Sequence, residues 1–334
     1  MIKLLMSLPS WLLIKLSGKK HIEIGDRKLH PPFQFLLKLT ENLVTDFTTL
    51  TPEQFRAAYI EQSKISAKMP TGIKWKDHEI EVLKGKIFIR EYHSKKIKEN
   101  GPSLVYFHGG GWVIGDIETH HQLTAYICDK LGAKVFSVDY RLSPEFKYPI
   151  PLDDCNAAFD WVHSNAESLG LDKDRISAGG DSAGGNLTAA LCLKRKEENK
   201  ALPKVQLLLY PVTDLQLKKD SIEECSEGFF LTKSAMEWFR QHYLNSLDEM
   251  TDHLVSPLLA EDLSNLPPAV VSTAGFDPLR DEGNEYAEKL KSSGNKVFLQ
   301  ENQGFIHGFA NMSYIPQVKK ALDEILVELR EIME

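Results

Sequence analysis

Three side chains in this 334-residue chain, Ser182, Asp277 and His307, have the types and the order for nucleophilic acyl transfer. Ser182 lies in Gly180-Asp181-Ser182-Ala183-Gly184-Gly185, between a strand-like run, Arg175-Ile176-Ser177-Ala178, and a helix-like run that begins at Ala183. A strand that turns straight into a helix brings its backbone close to itself, so Gly180 and Gly184 are read as positions where a Cβ would clash. A serine hydroxyl is a poor nucleophile until a base takes its proton, and that base needs an orienting carboxylate. Asp277 follows the apolar run Ala269–Ala274, and His307 follows Val297–Gln300 within Gly304-Phe305-Ile306-His307-Gly308-Phe309. Singly, Asp277 before Pro278 could form a turn and His307 could be a packed core histidine; in combination the catalytic reading is the expectation. Asp281 and Glu282 also qualify as orienting acids, though they would sit inside the next helix.

The oxyanion that develops during acyl transfer needs preorganised donors, each worth about 2.7–4 kcal/mol. His108-Gly109-Gly110-Gly111-Trp112 follows the apolar strand Ser103–Phe107. The expected donors are the N–H groups of Gly109, Gly110 and Ala183.

These positions require a particular scaffold. His78–Tyr92 alternates enough to predict an antiparallel pair turning at Lys84-Gly85. Strands near 103–107, 134–139, 175–179, 204–210, 269–274 and 296–301 then alternate with helices. Alternation of that kind predicts an α/β fold with a mostly parallel sheet, which collects ligands beyond the carboxyl ends of its strands. Ser182, Asp277, His307 and the glycine loop all fall there. Residues 1 to about 75 read as helices, including Phe33–Leu43 and Glu53–Lys68, the latter opened by Thr51-Pro52-Glu53. Between Pro211 and Ser256 the alternation breaks, and Phe229, Phe230, Trp238, Phe239 and Tyr243 gather there. Most of these aromatics are expected in the core, with one or two lining an acyl pocket.

His108–Trp112, Asp139-Tyr140-Arg141-Leu142-Ser143-Pro144-Glu145, Gly180–Gly185, Ser256-Pro257-Leu258-Leu259, Asp277–Asp281 and His307-Gly308-Phe309 together resemble the bacterial hormone-sensitive-lipase-like esterases. The resemblance runs from about Ser103 to the C-terminus. It implies the α/β-hydrolase fold with a helical cap and a carboxylesterase for short- to medium-chain esters that uses no cofactor and no metal. Ser182 would be the nucleophile, His307 the base and Asp277 the orienting acid, with an acyl-enzyme on Ser182. Tyr140-Arg141 and Asp153-Asp154 are assigned to support of the core and oxyanion loop. The implied division is a cap segment at 1–75, a catalytic core at 76–211 and 256–334, and an inserted cap segment at 212–255. An amidase or deacetylase would use the same triad. A non-catalytic ligand receptor on this fold would lack the histidine.

Composition fits a single enzyme of this size. With 40 Lys+Arg against 47 Asp+Glu the formal charge is −7, and without a basic stripe interleaved with aromatics nucleic acid is not expected as a partner. Lys194-Arg195-Lys196 and Lys218-Lys219 are read as solvated faces. Cys128, Cys155, Cys192 and Cys225 lack CxxC spacing and are read as reduced, mostly buried thiols of a cytoplasmic protein. His120-His121 lack metal-ligand spacing. Met1–Leu16 is apolar but interrupted by Pro9 and Lys15 and too short to span a bilayer, which takes about 20 residues. It is read as a cap helix with a narrow polar stripe at Lys3, Ser7 and Ser10 and with no stable membrane insertion, docking on a membrane surface being the alternative. The expected partner is a small-molecule ester, and self-association as a homodimer is compatible with the sequence.

Overall fold

The computed structural model describes residues 5–41, 49–65 and 68–334. Before the main sheet come α1 (Ser10–Ser17), the short pair β1 (Glu23–Ile24) and β2 (Arg27–Lys28), α2 (Pro31–Thr40) and α3 (Pro52–Ser63). The start of α3 is fixed by a capping box: Thr51 Oγ1 accepts from the Gln54 N–H while the Gln54 side chain accepts from the Thr51 N–H, with Pro52 at the first helical position. The sheet strands are β3 (Lys74–Val82), β4 (Gly85–His93), β5 (Gly101–Phe107), β6 (Lys134–Asp139), β7 (Leu171–Asp181), β8 (Gln206–Leu209), β9 (Ala269–Phe276) and β10 (Val297–Ile306). Between and after them run α4 (His121–Leu131), α5 (Ile150–Ser164), α6 (Ala183–Glu197), α7 (Asp220–Glu224), α8 (Lys233–Tyr243), α9 (Arg280–Ser292) and α10 (Pro316–Met333).

The spatial order is β10-β9-β8-β7-β5-β6-β4-β3. Pairing is parallel from β10 to β6, and β4 is antiparallel to both β6 and β3, with the expected turn at Lys84 in a left-handed conformation. Successive side chains of a strand point to opposite faces, so each central strand feeds two cores. Val105 and Phe107 pack with α5, α6 and α9 on one face; Leu104 and Tyr106 pack with α4 and α10 on the other. All eight residues of β9 are buried, as a parallel strand covered by helices on both faces requires.

Several sequence expectations shift. The helix over 33–43 begins two residues earlier, with Pro31 in its first turn, and its described part ends at Thr40. The helix over 53–68 ends at Ser63. The expected helix over Met1–Leu16 is interrupted: Met1–Leu4 lie outside the described residues, Leu5 is helical, a turn follows at residues 6–8, and α1 starts after Pro9 and runs from Ser10 to Ser17. Its apolar surface is only partly covered: Leu13 is buried against α2, whereas Trp11 is 67% and Leu16 47% exposed. Arg195 departs most from the solvated face expected of it. It is 2% exposed, pairs with Asp160 at 2.7 Å, donates to Asn156 and lies over the Phe159 ring. The four cysteines are buried and free, and among the described residues no helix is long and apolar enough to cross a membrane.

Candidate active site

Ser182 stands between β7 and α6 with φ 54° and ψ −118°, a conformation that costs a non-glycine residue about 1–3 kcal/mol and lifts its side chain clear of both elements. The expected glycine crowding is present: a Cβ at Gly180 or Gly184 would come within 2.4 or 1.9 Å of the Phe107 carbonyl oxygen on the neighbouring strand. The Ser182 N–H donates to Leu209 O at 2.9 Å, which ties the turn to β8.

Asp277 follows the last residue of β9, and His307 follows the last residue of β10. Parallel pairing of those strands brings the two side chains together. His307 Nδ1 lies 2.7 Å from Asp277 Oδ2, and His307 Nε2 lies 2.9 Å from Ser182 Oγ. Asp277 is fully buried and its second oxygen accepts the Leu279 N–H at 2.9 Å, so one lobe is held by backbone and the other faces the imidazole. The Tyr210 ring stands edge-on to the His307 ring at 4.9 Å. With Nδ1–H donating to the carboxylate, Nε2 is left to accept the serine proton.

The two other acids are engaged elsewhere. Asp281 accepts the Ser221 N–H at 2.8 Å and bonds Arg280. Glu282 accepts the N–H groups of Thr213 and Asp214 at 2.7 and 3.1 Å, and burial pushes its carboxyl well above the usual range.

One expected oxyanion donor is corrected. The Gly109 N–H donates to Asp181 Oδ1 at 3.0 Å, so it is already used inside the loop. Gly110 and Gly111 line the cavity in front of Ser182 and Gly109 does not. Among the described residues the N–H groups of Gly110, Gly111 and Ala183 meet no protein acceptor, and Ala183 is the first residue of α6, where a helix leaves its donors free. Gly110 has φ 119°, and a Cβ there would lie 2.2 Å from the Ile114 carbonyl oxygen, so only glycine allows the loop to curl back on itself.

Asp181, quoted in the serine motif but given no role by the sequence, is the hub of this loop. Buried at 3% exposure, it accepts from the Tyr106 hydroxyl at 2.8 Å as well as from Gly109, and His120 Nε2 is 3.4 Å away. Burial alone raises its carboxyl, but His120, Tyr106 and His108 outweigh that and hold it below its ordinary value. Tyr140 supports the loop from behind, donating to His108 O at 2.8 Å and stacking on the His108 ring at 4.3 Å. Arg141 pairs with Asp154 at 2.6 Å, in keeping with the structural role expected of both.

The sequence also gave no notice of Arg56. From α3 it donates to the carbonyl oxygens of Val113 and Ser143 at 2.8 Å each and forms a two-pronged pair with Glu145. Beside it Phe55 stacks on Phe239 at 5.7 Å, and both pack with Val113, Ile114 and Trp238. Helices from the N-terminal segment and from the 212–255 segment therefore meet directly above the glycine loop. Beneath them is a cavity of about 220 Å³ that reaches Ser182 and His307. Its walls are mostly apolar, with Leu36, Leu215, Met236 and Leu279 among them. Of the five insertion aromatics, Phe230 and Phe239 line this cavity, while Tyr243 stacks on Trp112 at 4.2 Å and Phe229 packs on Phe276.

A family model described as the alpha/beta hydrolase fold matches residues 104–311. The carboxylic ester hydrolase LipN of Mycobacterium tuberculosis is 44% identical over 217 residues, covering 63% of this chain and 58% of LipN, so the chain spans less than two-thirds of that relative. An arylesterase of Saccharolobus solfataricus is 37% identical over 268 residues, 80% of this chain and 87% of the arylesterase. Among solved structures, an ester hydrolase from the metagenome of Lake Arreo, complexed with a bipyridine phosphonate derivative, superposes with a TM-score of 0.87 at 37% identity, covering 91% of this chain and 98% of its own. The chain belongs to the α/β-hydrolase family, among its hormone-sensitive-lipase-like carboxylesterases.

Proposed function

We propose that this carboxylic ester hydrolase acts through an acyl-enzyme on Ser182 and takes esters with short to medium acyl chains. The observation that carries the reading is the continuous relay from Asp277 through His307 to Ser182, with contacts of 2.7 and 2.9 Å. Ser182 Oγ attacks the ester carbonyl as His307 Nε2 accepts its proton. Asp277 holds the tautomer and stabilises the imidazolium without becoming protonated. The tetrahedral oxyanion forms towards the N–H groups of Gly110, Gly111 and Ala183, which are fixed before substrate arrives. The imidazolium then gives its proton to the leaving alkoxide, and a water repeats the sequence on the acyl-enzyme. The ester-hydrolase relatives favour this over an amidase, and a histidine in hydrogen-bond reach of the serine argues against a receptor.

In the same reading residues 1–75 and 212–255 are the cap over the core at 76–211 and 256–334. The buried free thiols support a reducing, cytoplasmic setting. A cavity of about 220 Å³ under two helical segments holds a limited chain. Across p-nitrophenyl esters of increasing acyl length, kcat/KM is therefore expected to peak at short to medium chains and fall at long ones, because methylenes left outside the cavity add no transition-state binding. Highest activity on emulsified long-chain triglycerides, selectively lost when the first 16 residues are removed, would replace the cap reading with a lipid-interface one.

A further inference from the structure

Most of the arginines buried or half-buried in this fold meet carboxylates, whereas Arg175 donates to Met333 O at 3.0 Å. Arg27 pairs with Glu224, Arg90 with Asp77, Arg141 with Asp154 and Arg195 with Asp160. Arg240 on α8 is half-buried and is the arginine that faces the site. It lines the catalytic cavity, and among the described residues no carboxylate lies within 4.0 Å of it. Among the described residues its one side-chain bond runs from Nη1 to Leu215 O at 3.0 Å, and its Nε is buried without an acceptor. A guanidinium has five N–H donors in a planar fork, so most of this group's donors find no protein partner.

The surroundings are poor compensation for a charge. The cavity that it lines also carries Val212, Leu215, Leu217 and Met236. Among the described lining residues Arg240 is the one basic side chain besides His307, and the one carboxylate, Asp181, is already bound by Tyr106 and Gly109. In this half-buried guanidinium the shielded Nε is left without an acceptor, and a carboxylate matches the fork in two places at once. The bond to Leu215 O holds one corner of the fork, leaving its remaining edges for a ligand.

We infer that the preferred substrates are carboxylic esters that also carry a free carboxylate, which Arg240 binds while Ser182 attacks the ester. This rests on the esterase reading and narrows its substrate class. The anion takes the place that a carboxylate side chain occupies at Arg27, Arg90, Arg141 and Arg195, and the distance from Arg240 to Ser182 along the cavity sets which chain length reaches both.

The test compares matched ester pairs on the full-length enzyme. One pair places the charge on the acyl side: the monoethyl ester of adipic acid against the ethyl ester in which an isopropyl group of the same shape replaces the carboxylate. The other places it on the alcohol side: an acetylated ω-hydroxy acid against its isopropyl counterpart. The quantity read is the ratio of kcat/KM for the charged ester to that for the neutral one. Packing losses affect both members and cancel in the ratio. Arg240→Met is expected to lower the ratio about ten- to a hundredfold in at least one pair. Arg240→Lys, which keeps the charge without the fork, should lower it less, and it serves if the methionine variant does not accumulate. A ratio that these substitutions leave unchanged in both pairs overturns the proposal. Failure of the wild type to hydrolyse either member of either pair would instead overturn the esterase reading itself.

Discussion

Ser182→Ala is expected to reduce ester turnover by about a million-fold while leaving the fold intact. The side chain projects from a strained elbow into the cavity, and removing one oxygen there opens no void in either core. His307→Ala should cost nearly as much, because without the base the hydroxyl is not activated. The double variant should be little worse than either single one, since the two groups act in one step. Residual activity would come from the three N–H donors and from binding alone. Steady-state kinetics with circular dichroism as a folding check decides this, and losses that multiply in the double variant would mean that the two residues do not share a step.

The next largest effect separates Asp277 from its neighbours. Asp277→Asn is expected to lower kcat roughly ten-thousand-fold, because an amide facing Nδ1 favours the tautomer in which Nε2 carries the proton and cannot accept one from serine. Asp281→Asn should retain most activity, since Asp281 bonds the Ser221 N–H and Arg280 and makes no contact with the imidazole. Glu282 is not a neutral control: it binds the backbone of Thr213 and Asp214, and its loss would disturb the chain leading to the cavity wall at Leu215. The reverse ranking of the two aspartates would move the orienting role to Asp281.

What was legible in the sequence was what depends on neighbours in the chain or on strand order. The elbow is a local pattern, and its glycines announce a backbone contact that the Phe107 carbonyl supplies. Asp277 and His307 could be placed because each ends an apolar strand, and parallel strands present their carboxyl ends on one edge. Partners far apart in the chain were not legible. Three consecutive glycines do not say which N–H is already used; that is decided by the Asp181 carboxylate on the adjacent strand, which takes Gly109 and leaves Gly110 and Gly111 facing the cavity. Arg56 looked like one more polar residue of an N-terminal helix, yet it holds the carbonyl oxygens of Val113 and Ser143 beside the glycine loop. Arg195, inside a basic triplet, gave no sign of burial, since its partners Asp160 and Asn156 lie on α5. Helix limits in the N-terminal segment were read less closely: α1 closes at Gly18, whose left-handed φ of 68° ends the helix, and intrinsic propensity sets the limits of short helices only loosely.

Stoichiometric labelling with a p-nitrophenyl alkylphosphonate, followed by peptide mapping, tests the central claim most directly. The phosphonate becomes a tetrahedral adduct on whichever hydroxyl is activated, and its leaving group reports the number of sites. The account predicts one adduct per chain, carried by the peptide containing Ser182, with activity lost in proportion and labelling abolished in Ser182→Ala. Full esterase activity in fully labelled protein, or a stoichiometric adduct on a residue other than Ser182, would contradict it.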